Sequence, residues 1–258
     1  VATGMPSGSI DKALTVLEAL AEHHRVTDIA AATGLPKSTV HRILQSLLGW
    51  GFARADGNGG YLPGPRILTL AGRMMSRFDP AVQARGALRE LRDRTGLTVH
   101  FAIRSGDEVV YVDKIEGRRP YQMKSRVGMS VPLHTTAIGK AVLACLPEAE
   151  VDGIVGRVGL TAVTRRSITD PAVLRRQLQG ALDKGFAVDD GENDPGINCI
   201  GAPVADHTGG VIGGISISAL SHELDVENEA LAAQVIAAAR EVSLSLGAPM
   251  DPGTRAAG

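Results

Sequence analysis

The run Gly34-Leu35-Pro36-Lys37-Ser38-Thr39-Val40-His41-Arg42-Ile43-Leu44-Gln45-Ser46-Leu47-Leu48 constrains this chain more than any other stretch. A glycine breaks one helix and a proline near the first turn opens the next. Val40, Ile43, Leu44 and Leu47 recur at helical spacing, so one stripe of the new helix must lie against a core. Its opposite face carries Lys37, Ser38, Thr39, His41, Arg42 and Gln45, all able to hydrogen-bond phosphates or base edges. Upstream, Ile10, Ala13, Leu14, Leu17, Leu20 and Ala21 predict an amphipathic helix with Ser9 as its N-cap. Thr27 to Ala32 predicts a short helix capped by Thr27 and stopped at Gly34. Short helix, glycine-bearing turn and polar-faced helix is the order of a helix-turn-helix. On polarity alone a merely solvated face explains Lys37 to Gln45 equally well.

The residues that follow separate the two readings. Phe52 to Ala55, Asp56-Gly57-Asn58-Gly59-Gly60 and Tyr61-Leu62 read as strand, glycine-rich tip and strand, a hairpin placed where a wing would be. Arg54 and Asn58 are its candidate phosphate contacts. Residues 66–79 predict a linker helix with an apolar stripe of Ile67, Leu70, Ala71 and Met74 and with Arg66, Arg73 and Arg77 outside, a basic face more readily explained by solvation than by phosphate. Beyond Asp79-Pro80 the pattern gives a helix to Thr95, then strands over residues 97–104 and 109–115. Helical patterns follow around residues 136–144 and 170–184, then strands over residues 196–204 and 211–220 and a final helix over residues 226–246. Hairpin strands with packed helices imply an α+β sheet domain, not an alternating parallel one.

Net charge seems at first to oppose a nucleic-acid partner, since 258 residues sum to -1. Residues 1–78 nevertheless carry +3 and the remainder -4, a mildly basic head on an acidic body. Residues 1–60 sum to zero, so a lone head binds DNA weakly and several must act together. The hydrophobic fraction of 44% excludes general disorder, and two cysteines exclude a disulfide scaffold or a four-cysteine zinc cage. With no apolar run of about 18 residues and no signal-peptide pattern at the start, the expectation is a cytoplasmic protein.

The stretch Ile29 to Leu44 with the hairpin after it resembles the winged helix-turn-helix of IclR-type transcriptional regulators. The resemblance continues in Val110-Tyr111-Val112-Asp113-Lys114, in Gly128 to Ala141, in Gly196 to Val204 and in Gly213 to Ser218. It implies a winged DNA-binding domain over residues 9–65, a linker helix over 66–79 and a GAF-like effector-binding domain over 80–247. A flexible start (1–8) and a disordered tail (248–258) flank them. It further implies a near-palindromic double-stranded operator, a homodimer and a dimer of dimers. One departure is the exit from the wing, Tyr61-Leu62-Pro63-Gly64-Pro65, where the family often reads Tyr-x-Leu-Gly.

A pocket between the last two strands and the segment after Pro132 would present the Ser216 and Ser218 hydroxyls, the Cys199 thiol and backbone N–H groups near Ala137 and Ile138. Met123, Val131 and Ile197 would wall it, and Asp189 would accept from a ligand hydroxyl or begin a turn with Asp190 and Gly191. The resemblance supports all nine positions as ligand-lining. With no aromatic among them, a small carboxylate, keto acid, hydroxy acid or sugar acid fits better than a large aromatic effector. Gly139-Lys140, read as carrying an exposed lysine, does not make a phosphate loop, because His134 and Ala141 stand where that motif needs Gly and Ser or Thr. No cofactor or metal motif appears. The rival readings are an enzyme using Cys199, His134 and Asp189 as nucleophile, base and orienter, and a sensor whose head docks protein.

Overall fold

The structure is a computed structural model that describes residues 8–75, 78–121 and 123–250. Arg77, residues 1–7 and residues 251–258 lie outside the described residues. The chain divides into two compact units, Val1–Phe78 and Asp79–Gly258.

In the first unit, α1 (Ser9–Ala19) begins after Gly8, not on a Ser9 cap: the Asp11 carboxylate accepts from the Gly8 N–H at 3.1 Å. Helix α2 (Val26–Thr33) has Arg25 at its N-cap, so Thr27 falls inside the helix and its hydroxyl donates to Asp28 at 2.9 Å. Gly34 ends α2 at φ +67°, a left-handed turn that costs glycine nothing and a side chain something. Helix α3 (Lys37–Gly49) follows, with Pro36 at its N-cap. Val16, Leu20, Ile29, Leu35, Val40 and Leu44 form the core, with Ile43 and Leu47 half-buried against it. Strands β1 (Ala53–Ala55) and β2 (Tyr61–Pro63) pair antiparallel, Ala55 opposite Tyr61.

Helix α4 (Pro65–Met75) starts directly off the wing. Gly64 N–H donates to Phe52 O at 2.8 Å, Arg66 N–H donates to Gly51 O at 3.2 Å, and a Cβ on Gly64 would collide with the Gly51 carbonyl. The Arg66 guanidinium lies 5.7 Å from the Trp50 ring centre and 5.8 Å from that of Phe52. Of the predicted apolar stripe only Ile67 is half-buried, whereas Leu70, Ala71 and Met74 are exposed.

The second unit opens with α5 (Pro80–Thr95), capped by the Asp79 carboxylate and ended at Gly96. Strands β3 (Thr98–Ser105), β4 (Glu108–Ile115) and β5 (Ser130–Pro132) precede α6 (Ala137–Ala144), α7 (Glu148–Val158) and α8 (Pro171–Lys184). Strands β6 (Ala187–Asp190), β7 (Ile197–Ala205), β8 (Val211–Leu220) and helix α9 (Glu229–Ser245) complete it. The last helix starts at an Asn228 cap, three residues later than its apolar pattern suggests. The sheet runs β5-β4-β3-β8-β7-β6, antiparallel throughout.

Helix α6 packs on β7 and β8 from one face of the sheet, while α5 and α9 pack on β3 and β7 and on each other. Gly201 and Gly214 let α6 come close, since a Cβ on Gly201 would stand 2.9 Å from Ala137 C and Ile138 N. The period of two then puts His100, Gly201, Ser216 and Ser218 on the α6 face, and Phe101, Ile200, Ile215 and Ile217 on the other. Gly139 lets α6 lie against the Leu133 backbone. Gly139→Ala is expected to destabilise this unit by about 1–3 kcal/mol through overpacking, read as a lowered melting temperature with helix content retained.

Candidate functional site

The polar face of α3 stands clear of the core: Lys37, Ser38, His41, Arg42 and Gln45 are exposed and Thr39 is half-buried. Gln45 is partly engaged within the head, its Nε2 donating to the Tyr61 hydroxyl at 2.7 Å and so bracing the helix on the wing. Arg54 on β1 and Asn58 at the wing tip are exposed. The Asp56 carboxylate accepts from the Asn58 and Gly60 N–H groups, both at 2.7 Å, which shapes the tip and holds that carboxyl below its usual range. Thr27 is exposed on α2.

All nine predicted ligand-lining residues, Met123, Val131, Ala137, Ile138, Asp189, Ile197, Cys199, Ser216 and Ser218, line one cavity of about 70 Å³. Sheet register explains why: Asp189 pairs with Cys199, Cys199 with Ser218, and Ser216 with His100, on the face that α6 approaches. Asp189 sits in strand β6, and its carboxylate caps the loop that follows it. Its Oδ1 accepts from the Glu192 N–H at 2.6 Å and the Asn193 N–H at 3.3 Å, and burial pushes its carboxyl up to about 7.

His100, Tyr111, Lys124, Ser125, Met129, Thr136, Asn193 and Asp194 also line the cavity and were missed from sequence. Strand alternation offered a signal for His100, which lies opposite Ser216, and Tyr111 corrects the expectation of a wall without aromatics. His100 and Tyr111 have ring centres 4.9 Å apart. Ser218 Oγ donates to Cys199 Sγ at 3.1 Å, so its single proton is committed. His100 Nδ1–H therefore donates to Ser218 Oγ across 3.3 Å, and Nε2 accepts from the Ser125 hydroxyl at 2.7 Å. Burial and then the Lys114 charge press the imidazole down to about 3, which keeps it neutral.

Lys114 secures the segment over the cavity. Its Nζ donates to Met123 O at 2.9 Å and to Ser125 O at 2.7 Å, and pairs with Glu116 at 2.8 Å. Lys140, on α6 itself, is fully buried, contrary to its reading as exposed. Its Nζ donates to Glu192 Oε1 at 2.5 Å and Gln177 Oε1 at 2.8 Å. Thr135 Oγ1 donates to Asn193 Oδ1 at 3.1 Å, so the segment that opens α6 and the loop after β6 are joined at a second point.

The thiol-enzyme constellation is not assembled. His134 Nε2 donates to Thr161 O at 3.0 Å and lines a different cavity from Cys199 and Asp189. Burial first, then the Asp189 charge, drives the Cys199 thiol well above its ordinary pKa, which opposes a nucleophilic thiolate. Among the described residues no helix is long and apolar enough to cross a membrane.

A winged helix-turn-helix head joined to a sheet domain that holds a small cavity is the architecture of a DNA-binding transcriptional regulator. Residues 9–57 match the family model described as the IclR helix-turn-helix domain, and residues 72–244 the one described as bacterial transcriptional regulator IclR C-terminal. The chain belongs to the IclR family of transcriptional regulators. It is 34% identical over 221 residues to the HTH-type transcriptional regulator XynR of Escherichia coli (strain K12), covering 84% of this chain and 88% of that one. It is 31% identical over 257 residues to the transcriptional repressor IclR of the same organism, covering 96% and 94%. The crystal structure of Thermotoga maritima IclR matches with a TM-score of 0.64 at 34% identity, covering 93% of this chain and 98% of that one.

Proposed function

We propose that this regulator binds a near-palindromic operator through Lys37, Ser38, Thr39, His41 and Arg42 of α3, with Arg54 and Asn58 of the wing and Thr27 of α2 on flanking phosphates. Gln45 keeps a share in this contact while bracing the wing. A small carboxylate, keto acid or sugar acid in the cavity controls binding, by preferring one of two DNA-competent and DNA-incompetent arrangements. The observation that carries the reading is the convergence of nine predicted positions on one small cavity. Its chemistry suits an acid: Lys124 sets a cation against the Asp194 carboxylate on the wall, burial pushes the Asp189 carboxyl up to about 7, Ser216 adds a hydroxyl, and the first turn of α6 leaves the Ala137 and Ile138 N–H groups without intrahelical partners. About 70 Å³ favours the smallest of these, a carboxylate or keto acid of a few heavy atoms, over a sugar acid.

The protein works in the cytoplasm as a dimer or dimer of dimers. Exposed Ile10 and Leu14 on α1 and Leu70 and Met74 on α4 support self-association of the reading heads. The small head charge supports it too, because affinity must come from several heads on one site. Residues 9–65, 66–79 and 80–247 act as reader, lever and sensor.

The test is a gel-shift titration on the intergenic DNA upstream of the gene. Arg42→Ala is expected to weaken binding by about 1–3 kcal/mol. Unchanged affinity would remove α3 as the reading face, and no DNA binding by the unsubstituted protein would favour a head that docks protein. For the sensor, a small organic acid that raises the melting temperature is expected to bind Ser216→Val about tenfold more weakly. Equal binding would place the acid elsewhere.

A further inference from the structure

His134, which the effector cavity does not use, leads to a second one. We propose that the cavity beside α7 is a separate binding site for a small neutral molecule with an apolar body and one hydrogen-bond donor. This cavity measures about 160 Å³ and shares no lining residue with the effector cavity. Leu133, Leu143 and Ile154, each 2% exposed, form its floor. That is the size class of an engineered apolar cavity that takes up one benzene ring.

Two polar features set the ligand class. His134 Nε2 donates to Thr161 O, so in the neutral ring Nδ1 is an acceptor, and among the described residues nothing meets it. A ligand hydroxyl or N–H donating to Nδ1 satisfies it without disturbing the Thr161 contact. Of the exposed lining residues, Glu108 has no partner for its carboxylate among the described residues, and Val158 is half-exposed. A lining carboxylate disfavours anions, so the site selects against the acids that suit the effector cavity. A phenol-sized alcohol meets each requirement: flat apolar body, one donor and no charge.

The probe is phenol, titrated into the full chain carrying labelled Ile, Leu and Val methyl groups. Saturable shifts are expected at Leu133, Leu143 and Ile154, with cross-relaxation from the phenol ring to the Ile154 methyls. Benzene, which lacks the donor, is expected to bind about fivefold more weakly, the worth of one hydrogen bond. Val158→Trp adds bulk to the cavity lining and is expected to abolish the shifts. Shifts that fail to saturate, cross-relaxation confined to effector-cavity methyls such as Ile138, or unchanged binding in a folded Val158→Trp would each overturn the site. Benzene binding as tightly as phenol would overturn the assigned role of His134. The cross-relaxation measurement needs no variant and decides the location even if Val158→Trp fails to fold.

Discussion

Lys140→Met is expected to lower the stability of the 79–258 unit by about 3–5 kcal/mol, although it replaces a lysine by an apolar side chain inside a hydrophobic helix. The reason is the partner left behind. Glu192 is 4% exposed, its Oε1 accepts from Lys140 Nζ, and its Oε2 has no hydrogen-bond partner among the described residues. Removing the ammonium strands a carboxylate in the interior. The double variant Lys140→Met, Glu192→Met is expected to recover most of the loss, since both desolvation costs vanish together. Urea unfolding followed by circular dichroism measures both. A single variant that loses less than about 1 kcal/mol would mean that the pair is not carried as a buried charge. The effector cavity would register the change too, because Glu192 lies between Asp189 and Asn193, which both line it.

The second large effect appears in the pH profile of Asp189→Asn. The folded carboxyl titrates near 7 and its ordinary value is 3.8, so the native state retains a proton that the unfolded chain gives up. Stability from this group is present below 3.8 and is lost as pH rises to 7, at up to about 1.4 kcal/mol per pH unit. His100 works in the opposite sense. Its folded value near 3 against an ordinary 6.5 makes the unfolded chain bind the extra proton, so stability is present above 6.5 and lost as pH falls to 3. Between 3.8 and 6.5 the two slopes oppose each other and flatten the profile.

Asparagine keeps an acceptor for the Glu192 and Asn193 N–H groups but cannot ionise. Asp189→Asn is therefore expected to stabilise the unit at pH 8 by about 2–4 kcal/mol and to expose the bare acid-side decline of His100. Calorimetry across pH reads both effects. A variant whose profile overlays that of the unsubstituted protein would show that folding leaves the Asp189 carboxyl at its ordinary value.

What the sequence disclosed follows from how locally each feature is encoded. Helix α5 is bounded by a capping aspartate with proline at one end and a glycine at the other, so its limits are legible residue by residue. Of the cavity wall, Ser216 and Ser218 were legible because they alternate along one strand, a pattern that needs no partner to read, whereas the set of nine rested on the family resemblance. Strand β6 was hidden because Asp189 and Asp190 look like turn residues, and pairing with β7 overrides that preference. Strand β5 is three residues ending in proline. Helix α7 contains Gly153 and Gly156, which dilute its helical signal. Lys140 shows the deeper limit, since its burial depends on a glutamate 52 residues away.

The junction between wing and α4 determines how movement is passed on. Trp50 closes α3, Arg66 stacks on it from the first turn of α4, and the Gly51 and Phe52 carbonyls hold the intervening backbone. Proline at residue 65 and the crowded Gly64 leave little torsional slack between the two helices. So tight a joint is expected to behave as a spline instead of a hinge, passing twist applied along α4 on to α3. Whatever grips the far end of α4 therefore steers the heading of α3, and a glycine pair inserted at the joint would let the shaft turn without the head.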